Sequence, residues 1–143
     1  MAAPLAAIEA RARDLKFDRA TMAEVGDVND VAYDNPPGVI AAALGEPPAT
    51  DVRGYGIRVD GELASVVSVI DVGQDAFVTM VATLPHHRGK HLASHLLSHA
   101  LDEAKQREKT TTSLQASQLG QGIYTRLGYR PLGEVHLYEQ RPR

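Results

Sequence analysis

A mixed α/β sandwich follows from three features of the 143-residue chain. Three strand-like runs stand in succession between Val52 and Leu84, divided by the turn signals Asp60-Gly61 and Gly73-Gln74-Asp75. Past Pro85 the apolar spacing lengthens to that of a long helix. Short strand and helix runs then follow in alternation. Strands and helices mixed in this way, without strict repetition, call for helices packed on a mixed sheet.

The elements can be justified in order. The first stretch, MAAPLAAIEARARDLKF, is alanine-rich with arginines and reads as a short amphipathic helix or a loose arm, an extension over residues 1–14. A targeting peptide fits it less well, because no apolar stretch of about 7–15 residues follows a positive segment. A leading strand would fall near Leu15–Ala20. Thr21 with Glu24 three residues on is a capping-box pattern, and Met22, Val25, Val28 and Val31 continue it as a helix to Tyr33. Asn35-Pro36-Pro37-Gly38 ends that helix, and Val39 to Leu44 makes a second, stopped by Gly45 and Pro47-Pro48. Tyr55, Ile57 and Val59 alternate as in a half-buried strand, and Asp60-Gly61 turns the chain into the valine-rich run Glu62–Val72. Ala76–Leu84 is the third strand. Leu92, Ala93, Leu96, Leu97, Ala100, Leu101 and Ala104 mark one face of the long helix. Thr110–Ala116 is a β-prone run, Gly122–Leu127 a short helix closed by Gly128, and Leu132–Tyr138 a terminal strand or hairpin arm.

Composition narrows the functional classes. The length suits one domain over residues 1–143, and 43% hydrophobic residues suffice for a core. With no cysteine there is no disulfide, thiolate metal site or cysteine nucleophile, which suits a cytoplasmic protein. A net charge of −3, from 15 basic and 18 acidic residues, lacks the basic footprint of a nucleic-acid binder. No apolar run approaches the roughly 20 residues that cross a bilayer.

The chemistry concentrates in Val81-Ala82-Thr83-Leu84-Pro85-His86-His87-Arg88-Gly89-Lys90-His91-Leu92-Ala93-Ser94. A strand ends in a proline turn, and a short basic loop with a glycine opens a helix. The amino end of a helix offers unpaired N–H groups and the positive end of the dipole, a natural seat for phosphate. Gly89 lets backbone approach a ligand, and Ala93 and Ser94 keep the first turn narrow. Arg88 and Lys90 add charge. Packing alone also puts Arg and Gly at such junctions, and neither GxxxxGK[ST] nor GxGxxG occurs.

This segment resembles the acetyl-CoA motif of the GCN5-related N-acetyltransferase (GNAT) family, Arg/Gln-x-x-Gly-x-Gly/Ala after a strand ending V-x-V-x-P. Arg88 and Ala93 match it, while His91 stands where the family has glycine. Downstream, Leu114 to Tyr129 resembles the family's C-terminal block, ending in Tyr124-Thr125-Arg126-Leu127-Gly128-Tyr129, the Y-x-x-L-G-[FY] signature. Ser117 occupies the position, seven residues before Tyr124, where the family often has Asn. The two motifs occur in family order, and the resemblance runs from about Val52 to Arg141.

The resemblance implies a GNAT-like acyl-CoA N-acyltransferase fold with a central mixed, mostly antiparallel sheet. The strand–helix–strand order has the strands Ala76–Leu84 and Thr110–Ala116 run parallel through a right-handed crossover, and the resemblance adds that they splay at their ends. It implies an N-acetyltransferase using acetyl-CoA as co-substrate and an amine of a small molecule or peptide as acceptor, without a metal. The pantetheine arm should lie along Val81, Ala82 and Thr83. The pyrophosphate should sit on Gly89, Lys90, His91, Leu92, Ala93 and Ser94, with Arg88 beside it. Tyr124 corresponds to the tyrosine that protonates the departing thiolate; packing alone is the other reading. Ser117 either bonds the cofactor or caps the short helix. His91 fits the loop if it is already helical there, with its Cβ pointing outward.

No general base is assigned, since Ala76–Leu84 holds no Asp or Glu; Glu62, His86 and His87 are candidates. His87, His91, His95 and His99 are four apart and could suggest a metal ladder, but the last three lie off the apolar face and read as a solvated stripe. The alternative function is an acyl-CoA-binding or regulatory domain of the same fold without catalysis. A homodimer is compatible with either.

Overall fold

The computed structural model describes residues 1–7, 15–44, 50–140 and 142. Its centre is a six-stranded sheet of β1 (Ala2–Pro4), β2 (Phe17–Ala20), β3 (Val52–Val59), β4 (Glu62–Val72), β5 (Asp75–Thr83) and β6 (Thr111–Leu114). The spatial order is β1-β6-β5-β4-β3-β2. Every neighbouring pair is antiparallel except β5 and β6, which run parallel. Among the described residues the helices are α1 (Met22–Ala32), α2 (Val39–Leu44), α3 (Leu92–Gln106) and α4 (Gln121–Arg126).

The local signals act as expected. The Thr21 hydroxyl accepts from the Glu24 N–H, and the Glu24 carboxylate accepts from the Thr21 N–H, which starts α1. Asp60 and Gly61 both have positive φ in the turn between β3 and β4. The leucine face of α3 packs on one side of the sheet, where Leu96, Leu97, Ala100 and Leu101 meet Tyr55, Ile57, Val67, Val69 and Val78. The other side is covered by α1, whose Met22, Val25 and Val28 join Ala20, Val66, Ala82 and Leu84. With both faces of β4 covered, its valine run is buried almost throughout.

β5 changes sides midway. Ala76 and Val78 face α3, yet Ala82 and Leu84 face α1, although all four positions share one parity. The change occurs at a bulge: the ladder to β4 shifts register between Val66 and Ser68, and Met80 has φ +53. One extra residue reverses the alternation and leaves Met80 off the ladder. Asn29 of α1, itself buried, donates its amide to the Met80 carbonyl at 3.1 Å and to the Val25 carbonyl at 2.8 Å. The helix thus holds the bulge that sets which residues face it. Gly26, one turn before Asn29, has no room for a Cβ, which would lie 2.6 Å from the backbone of Ala41; this lets α2 pack tightly on α1.

Three expectations are corrected. The first residues are not a helix or a loose arm: Ala2–Pro4 is a strand on the outer edge of β6, followed by a 3₁₀ turn at Leu5–Ala7. Residues 8–14 lie outside the described residues. The expected strand Leu132–Tyr138 does not form, and Leu132, Val135, Leu137 and Tyr138 are exposed. A strand needs an edge, and the edge beside β6 is taken by β1; the C-terminal segment touches it only through the Ala2–Arg130 bridge. Nor are the histidines a solvated stripe. His95 is buried, and His99 stacks on Phe17 with ring centroids 4.3 Å apart and stands edge-on to Tyr55. The start of β2 covers a flank of α3 that helical spacing alone leaves bare.

Candidate active site

The ladder between β5 and β6 is short. It pairs Asp75–Val78 with Thr111–Leu114 and then stops, although β5 runs on to Thr83. Past Val78 the strands part and open a cleft of about 430 Å³. Its floor is Phe77 to Val81, one wall comes from Leu114, Gln115, Ser117 and Tyr124, and the other from Asn29, Tyr33, Asn35 and Ile40 of the α1–α2 region. Of the sequence-predicted residues, Val81, Ser117 and Tyr124 line this cleft. None of the described lining residues is charged, and none is a histidine.

Tyr124 projects from α4 with its ring edge-on to Tyr129, centroids 6.0 Å apart. Burial, with a smaller contribution from the nearby Tyr33, pushes its hydroxyl up to about 12. It therefore keeps its proton across the neutral range, as a donor must. The Ser117 Oγ accepts from the Gly120 N–H at 3.2 Å and so closes the turn ahead of α4, which itself starts at Gly120 without a side-chain cap; Ser117 also faces the cleft.

Ala82 is buried against α1, and the Thr83 hydroxyl bonds that of Ser65 at 2.9 Å. After a 3₁₀ turn at Pro85–His87 the chain enters the loop. Gly89 has φ +80 and open space around the missing Cβ. His91 is the N-cap of α3 at φ 58 and ψ 24. The condition of a helical backbone at His91 is not met: it takes the left-handed conformation that glycine adopts freely, at a cost of about 1 kcal/mol or more. No side chain caps the amino end of α3, and no acidic residue stands in its first turn. Leu92 and Ser94 point their side chains inward, so what they and Ala93 offer a ligand is backbone N–H. Of the two basic residues, Arg88 donates to the Ala32 carbonyl at 2.9 Å, tying the loop to the end of α1, and the Lys90 ammonium stands 3.4 Å from Nδ1 of His87.

Two cleft residues escaped the sequence reading. Asn29 reads as a polar break in the apolar face of α1; its value appears only with the bulge it holds. Tyr33 lies at the C-cap of α1, and its hydroxyl donates to the Val81 carbonyl at 2.9 Å. A helix-end aromatic carries no signal of that contact.

The geometry has counterparts in known proteins. The family model described as acetyltransferase (GNAT) domain matches residues 19–132, reaching further toward the N-terminus than the motifs do. No curated protein matches the chain. Among solved structures, a GCN5-related N-acetyltransferase from Kribbella flavida superposes with TM-score 0.66 at 22% identity, over 91% of this chain and 52% of that one. This chain thus spans about half the length of that protein. A ribosomal-protein-alanine N-acetyltransferase from Brucella melitensis biovar Abortus 2308 gives TM-score 0.68 at 18% identity, over 89% of this chain and 99% of that one. A predicted acetyltransferase from Clostridium acetobutylicum, solved with acetyl-CoA, gives 0.66 at 16% identity over 87% and 96%. These identities speak to the fold.

Proposed function

The chain belongs to the GNAT acetyltransferase family, and from that premise we propose that residues 1–143 act as one domain that transfers acetyl from acetyl-CoA to an amine of a small molecule or peptide. The observation that carries the proposal is the parting of β5 from β6 directly ahead of a helix whose amino end is uncapped. The first opens a slot for an extended chain, and the second offers N–H groups to a phosphate at the end of that slot.

Acetyl-CoA supplies an activated thioester. The amine nitrogen bonds to the acetyl carbon as the carbon–sulfur bond breaks, the amine loses a proton, and the thiolate gains one. Backbone along Val81–Thr83 orients the pantetheine, with Tyr33 leaving the Val81 carbonyl as it binds. Gly89 to Ser94 hold the pyrophosphate. Tyr124, a phenol at neutral pH, donates its hydrogen to the sulfur. With no carboxylate or imidazole among the described cleft residues, the amine reacts in its neutral form and its proton leaves through water. Ser117, on the cleft wall, contacts the pantetheine while its Oγ keeps the bond to the Gly120 N–H.

The test is thiol release from acetyl-CoA against a panel of amines spanning a range of basicity. Acetylated product for at least one amine supports the reading. Acetyl-CoA binding without turnover of any amine would favour a non-catalytic acyl-CoA-binding domain instead.

A further inference from the structure

Outside the cleft, one side-chain cluster has no part in the proposed transfer. Glu62, at the start of β4, and His86 and His87, in the turn that leads into the phosphate loop, converge from segments more than twenty residues apart. Nε2 of His86 lies 2.8 Å and Nε2 of His87 lies 2.9 Å from the same Glu62 oxygen. The three potential ligand atoms all fall within 4.8 Å of one another. The imidazole rings stand 4.3 Å apart at 43°, so their nitrogens aim at one point rather than stacking.

We propose that Glu62, His86 and His87 form a binding site for a zinc-class divalent cation that pins the β3–β4 hairpin to the entrance of the phosphate loop. Two nitrogens and one carboxylate oxygen are a familiar donor set for zinc. With bonds of about 2.0–2.1 Å and tetrahedral angles, donor atoms stand about 3.3 Å apart, so each His–Glu separation has only to open by a few tenths of an ångström. His87 is anchored, its side chain 8% exposed, while Glu62 and His86 are at 50% and 61% and can make that adjustment. The same exposure leaves the remaining coordination position to water. This trio shares only His87 with the four-residue histidine spacing: His91 stands at the N-cap position of α3, and His95 and His99 belong to α3 itself, the first buried and the second stacked on Phe17.

Lys90 supplies a distinguishing feature. Its ammonium reaches Nδ1 of His87, which makes that nitrogen the acceptor and puts the ring proton on Nε2. A metal on Nε2 requires the opposite tautomer, with the proton on Nδ1, so the ammonium has to swing away. Lys90 therefore competes with the cation, and removing its charge should favour binding.

Chelator-treated protein titrated with zinc chloride in a calorimeter provides the test, with cobalt(II) absorption as an independent reading of coordination. The expected result is one zinc per chain and the visible bands of a four- or five-coordinate cobalt site. Glu62→Gln and His86→Ala, both at the surface, should each weaken binding by at least about tenfold while keeping the far-ultraviolet dichroism of the parent. Lys90→Gln should tighten it severalfold, and His136→Asn, on the exposed C-terminal segment, should not change it. If the parent binds no zinc, or if the Glu62→Gln/His86→Ala double variant binds it equally well, the proposal is overturned and the cluster is a hydrogen-bonded clasp. These readouts need no acetyl-CoA, so they stand or fall apart from the transferase reading.

Discussion

The two halves of β5 are built in opposite ways. From Asp75 to Val78 the strand is zipped on both sides, to β4 and to β6, and side chains reinforce the zipper. The Thr112 hydroxyl donates to the Ala76 carbonyl at 2.8 Å and accepts from the Tyr129 hydroxyl at 2.7 Å, while Thr111 and Ser113 both donate to Asp75. On β4, paired with Ala76, Asp71 takes a two-pronged contact from Arg107 at 2.9 and 3.0 Å and another from Arg53 at 2.9 Å. From Thr79 onward the strand is bulged, has lost β6, and is held from α1 by Asn29 and Tyr33. The closed half spends its backbone groups on structure. The open half keeps backbone groups that a ligand can reach, and the fold has to support it from the side with polar side chains. On the proposed function, stability and function are divided along a single strand, and the division can be tested from both ends.

The largest effect belongs to the open half. Tyr124→Phe should lower kcat about 10²–10⁴-fold while leaving acetyl-CoA affinity nearly unchanged, since the ring still packs on Tyr129. Steady-state kinetics alongside calorimetric binding separates the two. Normal turnover by the variant would return Tyr124 to packing.

At the closed half, Asp71→Asn should lower the unfolding free energy by about 2–3 kcal/mol at neutral pH, because it weakens charged hydrogen bonds to a half-buried arginine. Burial raises the Asp71 carboxyl, but the hydrogen bonds of Arg107 and the charges of Arg107, Arg53 and Lys109 outweigh it and hold the pKa below its ordinary 3.8. The stabilisation is then fully present above that ordinary value and disappears as the pH falls through the lowered one. Denaturant titrations of parent and variant should converge in that acidic range, and acetyl-CoA binding at pH 7 should not change.

A matched pair sharpens the contrast. Thr112→Val leaves the buried Tyr129 hydroxyl without its acceptor, and Asn29→Ala leaves the Met80 carbonyl without its donor; each should cost about 1–3 kcal/mol. Thr112→Val should spare acetyl-CoA binding, whereas Asn29→Ala should weaken it by releasing the bulge. Equal binding losses in both variants would break the proposed division of labour.

The smallest effect is expected at Tyr33. Its phenol occupies the Val81 carbonyl that an extended pantetheine would use, so Tyr33→Phe removes a competitor. Acetyl-CoA affinity should rise about threefold to tenfold, the worth of one ordinary hydrogen bond. An unchanged or weaker affinity would place the pantetheine elsewhere.

Local chemistry accounts for what could be read without coordinates. The capping box at Thr21 and Glu24, the Asp60-Gly61 turn, the leucine face of α3 and the order of elements from Val52 to Leu127 each depend on residues a few positions apart, and each is where it was expected. The parallel pairing of β5 with β6 followed from the strand–helix–strand order. Resemblance, more than spacing, brought Tyr124 and Ser117 to attention, and they share a cleft with Val81.

Competition between distant segments decided the rest. Leu132–Tyr138 has the alternation of a strand, but an alternating segment becomes a strand only where an edge accepts it, and Ala2–Pro4 holds the edge beside β6. His95 and His99 lie off the leucine stripe, and it is β2, about eighty residues earlier in the chain, that brings Phe17 onto His99. His91 takes a left-handed angle that no histidine advertises, because the chain must turn from the loop into α3 at that point. Nothing near Met80 announces a bulge, since the extra residue is defined by register against β4 and made affordable by an asparagine from α1. Sequence alone therefore determined the elements from Thr21 to Leu127 and the place of the loop, whose causes are local. Which groups face the cleft was left to the tertiary structure, because that depends on the pairing register and on which segment reaches each edge first.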